Sequence, residues 1–282
     1  MAEYTLCGFA DEVGADLAVQ IRAMKENGLK LLEMRNVNGT NVSDLTPEQA
    51  KNAIKMLSDE GLGVWSLGSP IGKINITDDF APHMDKFKRT LETAHIVGAS
   101  CIRIFSFYGT DGKKEYRDDV CEKLQRIADE ADGSGVVLCH ENEKGIYGDT
   151  ADRCTDILTA VPKIKAVFDP ANFVQSGENT IEAWDKLAGF VHYFHIKDVN
   201  EDDVIVPAGL GRGNIPVILK KYLAQGGKVI TMEPHLTEFD GLAALENGEK
   251  TKINDGAWGT PAEAFKAATD ALKNILASYE KV

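Results

Sequence analysis

The sequence has no long apolar run and no basic leader. No stretch reaches the roughly 18 apolar residues that a membrane-spanning helix needs, and the first residues, MAEYTLCGFADE, lack a basic region followed by a long apolar segment. We therefore expect a soluble, cytoplasmic protein that has no membrane partner.

Paired cysteines are also missing. The five cysteines are odd in number and widely spaced, and no two of them form a CxxC motif. This pattern argues against a disulfide framework and against a zinc site made of thiolates. We expect reduced thiols, most of them buried, at Cys7, Cys101, Cys121, Cys139 and Cys154.

The chain is short of positive charge. Its 31 Lys and Arg residues are outnumbered by 44 Asp and Glu residues, which gives a formal net charge of -13. A field of this sign repels phosphate backbones and anionic membranes. Nucleic acid is therefore not an expected partner.

The sequence does contain short apolar runs that alternate with longer segments of helical period. This alternation is typical of βαβ units, and eight such runs predict a closed (β/α)8 barrel, the TIM-barrel fold. Because one such barrel commonly takes about 250 residues, we expect a single domain over residues 1–282. The predicted strands are residues 4–10, 30–35, 63–68, 101–107, 136–141, 166–169, 191–196 and 228–233.

Two helix starts and two irregular segments stand out between these strands. Thr46-Pro47-Glu48-Gln49 and Thr260-Pro261-Ala262-Glu263 each place Pro after a capping Thr, with Gln or Glu two residues further on. The long stretch 237–259 favours either a lid or wall of a substrate site or a plain surface excursion. The glycine-rich segment 209–213 lacks the spacing of a dinucleotide-binding loop.

Four successive predicted strands end in residues that can bind a metal ion, namely Glu141, Asp169, His195 and Glu233. The carboxyl ends of barrel strands form one face, where α/β barrels carry their active sites. Three carboxylates beside an imidazole are costly to bury without a cation. The donor set favours Mn²⁺, with Mg²⁺, Co²⁺ and Zn²⁺ as alternatives. The competing interpretation is that each residue makes its own salt bridge or caps the following helix.

Cationic side chains also gather near the strand ends. On an acidic protein, a basic ring at the mouth favours a polyol or an oxyanion as substrate. The alternative is local pairing, of Arg35 with Glu33 and of Arg103 with a carboxylate of the metal site. The candidate substrate contacts among these cations are Arg35, Lys73 and Lys197.

Side-chain alternation along a strand sorts the remaining candidates, because residues two apart share a face. His235 shares a face with Glu233 if the extended conformation continues, so His235 is a further candidate substrate contact. His140 should point away from the metal site, because it is the immediate neighbour of Glu141.

These segments resemble the sugar phosphate isomerase/epimerase group of xylose-isomerase-like TIM barrels. The resemblance covers nearly the whole chain and rests on CHENEKGIYGDT, VFDPANF, FHIKDV and TMEPHL, supported by PAGLGRGNIP, SPIGK and IRIFSFYG. In the ketohexose 3-epimerases of this group, the corresponding Glu, Asp, His and Glu bind the metal, and the two glutamates exchange the substrate proton. The resemblance therefore implies that Glu141 and Glu233 are both ligands and acid/base catalysts.

One residue departs from the epimerase pattern. The epimerases have a histidine three residues after the strand-six Asp, whereas this chain has Asn172, which can hydrogen-bond a substrate oxygen but cannot carry a proton. The group also resembles DNA-repair endonucleases of the endonuclease IV type, whose trinuclear zinc cluster needs histidines that the second and third predicted strands lack. One metal ion is therefore expected, and cleavage of DNA is not.

The leading hypothesis is a metal-dependent isomerase or epimerase of a sugar or sugar derivative, in which proton transfer proceeds through a metal-stabilised enediolate. A lyase on the same barrel, such as a keto-inositol dehydratase or an eliminating deglycosidase, would begin with the same proton abstraction. A noncatalytic sugar-binding barrel is the alternative from another class. The resemblance also implies a homo-oligomer, because members of the group often form dimers or tetramers.

Overall fold

Eight parallel strands form a closed barrel in the computed structural model, which describes residues 3–245, 250–254 and 256–279. Each strand pairs with the next along the chain, and the first pairs with the last. The predicted TIM-barrel fold is confirmed. The strands are β1 (Thr5–Gly8), β2 (Leu31–Met34), β3 (Gly63–Leu67), β4 (Cys101–Ile104), β5 (Val137–Glu141), β6 (Lys165–Phe168), β7 (Val191–Ile196) and β8 (Val229–Met232).

Helices surround this barrel. Within the part of the chain that the structure describes, no helix is both long enough and apolar enough to span a membrane. The helices are α1 (Leu17–Glu26), α2 (Pro47–Asp59), α3 (Phe80–Val97), α4 (Arg117–Glu130), α5 (Ala151–Ala160), α6 (Pro170–Gln175), α7 (Thr180–Leu187), α8 (Ile215–Ala224), α9 (Leu242–Leu245) and α10 (Pro261–Ser278).

The loops contain shorter elements. Short 3₁₀ turns occupy Ala10–Glu12, Lys114–Tyr116 and Tyr147–Asp149. One antiparallel ribbon pairs Asn36–Val37 with Thr40–Asn41 after β2, and another pairs Asp198–Val199 with Ile205–Val206 after β7. Both ribbons therefore extend the loops at the C-terminal end of the barrel.

Local sequence sets where the helices begin. The Thr46 hydroxyl accepts from the N–H of Gln49 at 3.2 Å, and the Gln49 side chain accepts from the N–H of Thr46 at 2.8 Å. Thr260 accepts from the N–H of Glu263 at 3.2 Å at the start of α10. Each hydroxyl replaces a hydrogen-bond partner that the first helical turn lacks, so each helix starts at the Pro that follows its Thr.

The apolar core has two main layers. The larger layer lies between the barrel and the helices and includes Leu17 and Met24 of α1 and Phe265 and Leu272 of α10. A separate cluster formed by side chains of the barrel strands consists of Cys7, Cys101, Cys139, Val167, Tyr193 and Val229. Apolar packing thus holds the barrel together below its C-terminal mouth, where the charged groups collect.

Two strands end more than one residue earlier than predicted. β1 stops at Gly8 instead of Ala10, and β4 stops at Ile104 instead of Phe107. After β1 the chain enters the turn Ala10–Glu12. This early end brings two acidic side chains into the mouth of the barrel.

Candidate metal centre

The four predicted metal ligands come together at the C-terminal mouth. Glu141 is the last residue of β5, His195 lies in β7, and Asp169 and Glu233 directly follow β6 and β8. One ligand atom from each side chain lies within 4.8 Å of the other three, and all four side chains are buried. Four neighbouring strands therefore deliver one cluster.

His195 faces this cluster with one ring nitrogen and is held by the other. Its Nδ1 lies 3.0 Å from Glu141 Oε1 and 3.4 Å from Glu233 Oε2, whereas its Nε2 lies 3.1 Å from Glu33 Oε2. Burial opposes the charged imidazolium, but Glu141 and Glu33 outweigh burial and hold the pKa of His195 well above its usual value. A cation would displace the proton on Nδ1 while Nε2–H still donates to Glu33, an arrangement common for metal-binding histidines.

Glu33 was considered from the sequence only as a partner of Arg35. In the structure it is a buried residue of β2 that faces His195 through Oε2 and accepts from the Tyr193 hydroxyl at 2.7 Å through Oε1. The available signal was a single carboxylate inside the apolar run KLLEMR, which would be costly to bury without such partners.

Asp169 divides its two carboxylate oxygens between the fold and the site. Oδ1 accepts from the N–H of Asn172 at 2.9 Å and so caps α6, while Oδ2 lies 2.9 Å from Lys197 Nζ. The Asn142 side chain makes two hydrogen bonds to the Asp169 backbone, at 2.9 and 3.0 Å, and these join the ends of β5 and β6. Burial raises the pKa of Asp169 to about 6, although the Lys197 ammonium opposes the rise.

Arg103 bridges the two glutamates. Its Nη1 lies 3.2 Å from Glu141 Oε2 and 3.5 Å from Glu233 Oε1, so the predicted pairing of Arg103 with a carboxylate of the metal site is confirmed. Burial alone would raise the pKa of both glutamates. His195 and Arg103 instead lower the pKa of Glu141, and Lys197 contributes most to a pKa of Glu233 well below the usual value.

The cluster has oxygen atoms to spare for a cation. Glu141 Oε2 and Asp169 Oδ2 are buried, and among the described residues they make ion-pair contacts, with Arg103 Nη1 at 3.2 Å and with Lys197 Nζ at 2.9 Å, but no hydrogen bond of good geometry. Their cationic neighbours, Arg103 and Lys197, are shared with Glu233. Three carboxylates and one imidazole nitrogen suit a hard or borderline divalent ion. The residues present therefore fit one such ion.

Cavities open beside this cluster. Asn172, Lys197 and His235, three of the predicted substrate contacts, line a cavity of about 560 Å³. Lys73 lines a second cavity of about 430 Å³, and Leu245 is common to both. Lys73 Nζ also donates to Glu143 Oε1 at 2.9 Å.

Arg35 lies deeper than the other predicted substrate contacts and lines neither of these cavities. Its guanidinium donates to Asp11 at 2.9 and 3.0 Å, and its Nη1 lies 3.3 Å from Glu233 Oε1. The alternative interpretation, that Arg35 pairs with Glu33, is wrong. The turn after β1 places Asp11 and Glu12 beside the guanidinium, while Glu33 is engaged by His195 and Tyr193.

Asp11 and Glu12 were missed in the sequence. Glu12 Oε2 accepts from the N–H of His235 at 2.7 Å, and Glu12 Oε1 lies 3.5 Å from His235 Nε2. Burial raises the pKa of Glu12 to about 8, although Arg35 opposes the rise. The signal was two acids directly after an apolar run, the same strand-end rule that indicated the metal ligands.

The histidines near the mouth have different surroundings. His235 has a φ of 47°, so the extended strand does not continue as its predicted alternation required. Its ring nevertheless lies 3.9 Å from Glu233 Oε1 and stacks on Phe239, with the ring centroids 5.4 Å apart. His140 points away from the metal cluster, as expected, with its Nε2 2.9 Å from Ser106 Oγ.

The segment 237–259 supplies part of the cavity wall. Leu242, Leu245 and Thr251 line the larger cavity, and Lys73 Nζ donates to the Leu245 carbonyl at 3.3 Å. Residues 246–249 and 255 of the predicted lid lie outside the described residues. The described part agrees with a substrate wall.

The glycine-rich segment wraps around a carboxylate of its own chain. The N–H groups of Gly209, Gly211 and Gly213 donate to Asp198 at 2.9, 3.1 and 2.8 Å. A Cβ at Gly211 would lie only 2.4 Å from Asp198 Oδ1, so the loop requires glycine there. These donors hold the loop in place.

Comparisons of the sequence identify a family and one curated relative. A family model described as xylose isomerase-like TIM barrel matches residues 21–252. A 3-dehydroshikimate dehydratase from Bacillus anthracis is 18% identical over 184 residues, which are 64% of this chain and 65% of the relative. The chain thus spans slightly less than two thirds of the length of that relative.

Solved structures extend the similarity over the whole barrel. L-ribulose 3-epimerase gives a TM-score of 0.77 at 18% identity, covering 100% of this chain and 96% of that one. The IOLI protein with a bound zinc atom gives 0.72 at 17% identity over 98% and 99% of the two chains. A barrel from Mycobacterium smegmatis in complex with magnesium gives 0.68 at 17% identity over 96% and 98%. At these identities the likeness shows the fold.

Proposed function

The chain belongs to the xylose isomerase-like TIM barrel family, and from that premise we propose that it is a divalent-metal-dependent isomerase or epimerase of a sugar or sugar derivative. The proposal depends on one observation above all. Two buried glutamates, Glu141 and Glu233, share one cluster with Asp169 and His195 while both also contact Arg103.

The two glutamates would exchange the substrate proton. Their lowered pKa values keep both carboxylates ionised at neutral pH, so either can accept a proton from the carbon beside a carbonyl. The electron pair left on that carbon moves towards the carbonyl oxygen. The second glutamate takes up a proton from solvent and returns it to the other face of that carbon, which inverts the configuration. Arg103 lies beside both carboxylates and would favour the charged form of the one that accepts the substrate proton.

A divalent ion held by Glu141, Asp169, His195 and Glu233 would supply a Lewis acid for two adjacent substrate oxygens. We propose Mn²⁺, because oxygen ligands with one imidazole suit it well, and Mg²⁺, Co²⁺ or Zn²⁺ are the alternatives. Glu33 would keep the imidazole of His195 oriented towards the ion through the 3.1 Å contact at Nε2.

The cavity suits a small polyol. Asn172, Lys197 and His235 bring polar groups to its wall, and Leu242 and Leu245 add apolar surface. Asn172 Nδ2 already donates to the Asn142 carbonyl at 2.8 Å and lies 3.4 Å from Glu141 Oε1. We therefore propose that Asn172 positions Glu141 and the substrate without itself transferring a proton.

Deuterium exchange tests the proposal. The metal-loaded protein is incubated in D₂O with a panel of ketoses, aldoses and sugar acids, and each product is analysed by mass and by NMR. We expect one solvent deuteron in the product of at least one substrate, at the epimerised or isomerised carbon, with no other change in mass. Absence of incorporation across the panel would contradict the proposed chemistry.

A lyase is the second candidate, and the similarity to a 3-dehydroshikimate dehydratase favours it. Elimination would begin with the same proton removal by Glu141 or Glu233, after which a hydroxyl leaves as water. The same experiment separates the two reactions. Loss of the mass of water from the product identifies a dehydratase, whereas an epimerase leaves the composition unchanged apart from the deuteron.

A further inference from the structure

A second cluster of metal-binding side chains lies towards the N-terminal end of the barrel. Cys101 is the first residue of β4, Cys139 lies in the middle of β5, and His192 is the second residue of β7. One ligand atom from each lies within 4.8 Å of the other two. We propose that Cys101, Cys139 and His192 bind a second divalent ion, of the zinc class.

The spacing of these three groups fits a tetrahedral ion. Zinc binds thiolate sulfur at about 2.3 Å and imidazole nitrogen at about 2.1 Å, which puts ligand atoms roughly 3.5–3.8 Å apart. The three ligand atoms lie within 4.8 Å of one another, so side-chain rotations would have to bring them about 1 Å closer to reach this spacing. The backbone positions are already set, because the three residues belong to three strands of one closed barrel.

The charges of the cluster also suit a divalent ion. Two thiolates and a neutral imidazole balance it, which matters because Cys101 and Cys139 are both 0% exposed. A hydrogen bond involving Cys139, together with one involving His192, outweighs burial and lowers the pKa of Cys101 to about 7. Burial and the same hydrogen bond with Cys101 raise the pKa of Cys139 well above its usual value, so a bound ion would have to displace the Cys139 proton.

The two ends of the barrel would select different ions. Sulfur ligands favour zinc-class ions, whereas the oxygen-rich cluster at the mouth suits harder ions. Tyr193 and Glu33 lie between the two clusters, with Tyr193 bonded to Glu33 at 2.7 Å. His192 is only partly buried and stacks on Trp65, with the ring centroids 5.9 Å apart, so an ion could enter past these rings from solvent. The inference does not rest on the proposed function.

Cys7 provides a matched control. It is 0% exposed and belongs to the same apolar cluster as Cys101 and Cys139, but it is not one of the three grouped ligands. Replacement of Cys7 by Ser therefore tests whether loss of any buried thiol of this cluster, rather than loss of a ligand, abolishes metal binding. Glu233→Gln is the second control, because it alters the mouth and leaves the sulfur ligands intact.

Cobalt reports sulfur ligation directly. The full-length protein, reduced and stripped of metal, is titrated with Co²⁺ while the near-ultraviolet thiolate-to-cobalt charge-transfer absorption is recorded. We expect this absorption to saturate at one ion per chain and to disappear when Zn²⁺ is added. It should be absent in Cys101→Ser and Cys139→Ser, and retained in Cys7→Ser and Glu233→Gln. No such absorption in the native chain, or its survival in Cys101→Ser, would overturn the inference.

Thiol protection tests the site without any substitution. Because Cys101 and Cys139 are 0% exposed, the native chain is alkylated for long enough that local opening of the metal-free chain gives measurable labelling of both. The reaction is repeated with Zn²⁺, and the labelled cysteines are identified by mass spectrometry of peptides. We expect Zn²⁺ to abolish labelling of Cys101 and Cys139 and to leave the partly buried Cys121 labelled at its metal-free rate. Equal labelling of Cys101 and Cys139 in both conditions would overturn the inference. A Cys101–Cys139 disulfide in the protein as isolated, before any oxidant is added, would do the same.

Discussion

The two halves of the barrel mouth differ in the side chains that follow their strands. Strands β5 to β8 lead into the four proposed ligands, whereas β2 to β4 carry or lead into Arg35, Lys73 and Arg103. The halves meet at Glu233, which lies 3.3 Å from Arg35 and 3.5 Å from Arg103. A buried cluster of carboxylates is thus faced by fixed cations across the mouth.

The two halves also differ in how well their buried charged groups are hydrogen-bonded. Arg35 is surrounded by Asp11, Glu12 and Glu233 and lies between the rings of Phe9 and Phe239, at 4.5 and 5.1 Å. On the other side, Glu141 Oε2 and Asp169 Oδ2 accept no hydrogen bond from the residues that the structure describes. Arg35 is therefore enclosed by acidic and aromatic partners, whereas the ligand half keeps buried carboxylate oxygens to which we propose that an ion binds. Substitutions on the two sides should have different consequences.

The largest effect is expected in the ligand half. Glu141→Gln or Glu233→Gln should lower kcat by about a hundredfold to ten-thousandfold, because an amide cannot exchange a proton. Turnover is measured with the substrate found by deuterium exchange, and circular dichroism checks the fold. Glu130→Gln, on the exposed side of α4, is the control and should leave turnover unchanged. Near-native kcat in Glu141→Gln or Glu233→Gln would contradict the expected difference between the two halves of the mouth.

The next effect concerns the loop that carries Lys73 in the cationic half. The N–H of Gly72 donates to His83 Nε2 at 2.8 Å, which requires a neutral ring, and burial lowers the pKa of His83 from 6.5 to about 4. Between pH 4 and pH 6.5, His83 is therefore protonated in the unfolded chain and neutral in the folded chain. The stabilisation is complete above pH 6.5 and is lost as the pH falls towards 4, by about 3 kcal/mol.

Urea unfolding from pH 7 to pH 4 measures this loss. His83→Gln keeps a hydrogen-bond acceptor without a titrating group, so the difference in unfolding free energy between the native protein and the variant should fall with pH. All other acid-sensitive groups are common to both proteins. A pKa of His83 near 6.5, measured by NMR, would rule out this role.

A smaller effect is expected from Glu33, which orients a ligand from β2. Glu33→Gln should weaken binding of the ion at the mouth by about tenfold to a hundredfold. The reason is that the neutral amide is a weaker acceptor than the carboxylate for the Nε2–H of His195. Isothermal titration with Mn²⁺ gives the Kd. Tyr193→Phe removes a second hydrogen bond to Glu33 but keeps the charge of Glu33, and its effect should be weaker. An unchanged Kd in Glu33→Gln would place the support of His195 elsewhere.

The smallest effect is expected at Lys73. Lys73→Met removes the ion pair with Glu143 and the contact with the Leu245 carbonyl. The lost interaction free energy is about 1 kcal/mol, which is typical of partly exposed ion pairs. KM should rise about fivefold while kcat stays the same, because the ligand half is untouched. Steady-state kinetics separates the two constants. A fall in kcat without a change in KM would assign Lys73 to the chemistry and weaken the contrast between the halves.

Much of the mouth could be predicted because each ligand follows its own apolar run. In VHYFHI, the sequence of β7, the apolar run itself shows where the strand ends and which residue lies there. Closure of the parallel barrel then brings the four strand ends together. The pairing of Arg35 could not be predicted in this way. It depends on the early end of β1 and on the turn that brings Asp11 and Glu12 across the mouth.

The cysteines are a second case in which the sequence alone did not predict a contact. Their spacing argued against a thiolate site, since Cys101 and Cys139 are 38 positions apart in the sequence. Strands β4 and β5 are neighbours in the barrel, with Cys101 opposite Val137 and Arg103 opposite Cys139, so the two thiols become close in space. Sequence-spacing rules for metal sites apply to ligands on one turn or loop. They do not detect ligands that come together only when two strands pair.

By itself, the sequence determined the order of strands and helices, the closed barrel and the polar residue at each strand end. These follow from hydrophobic periodicity and capping, which act over a few residues. Only the tertiary structure decided that Glu33 contacts His195, that Arg35 is enclosed by acids, and that ligand atoms of Cys101, Cys139 and His192 lie within 4.8 Å of one another. Such contacts depend on register, bulges and turns across the whole barrel, where a shift of one residue moves a side chain to the other face.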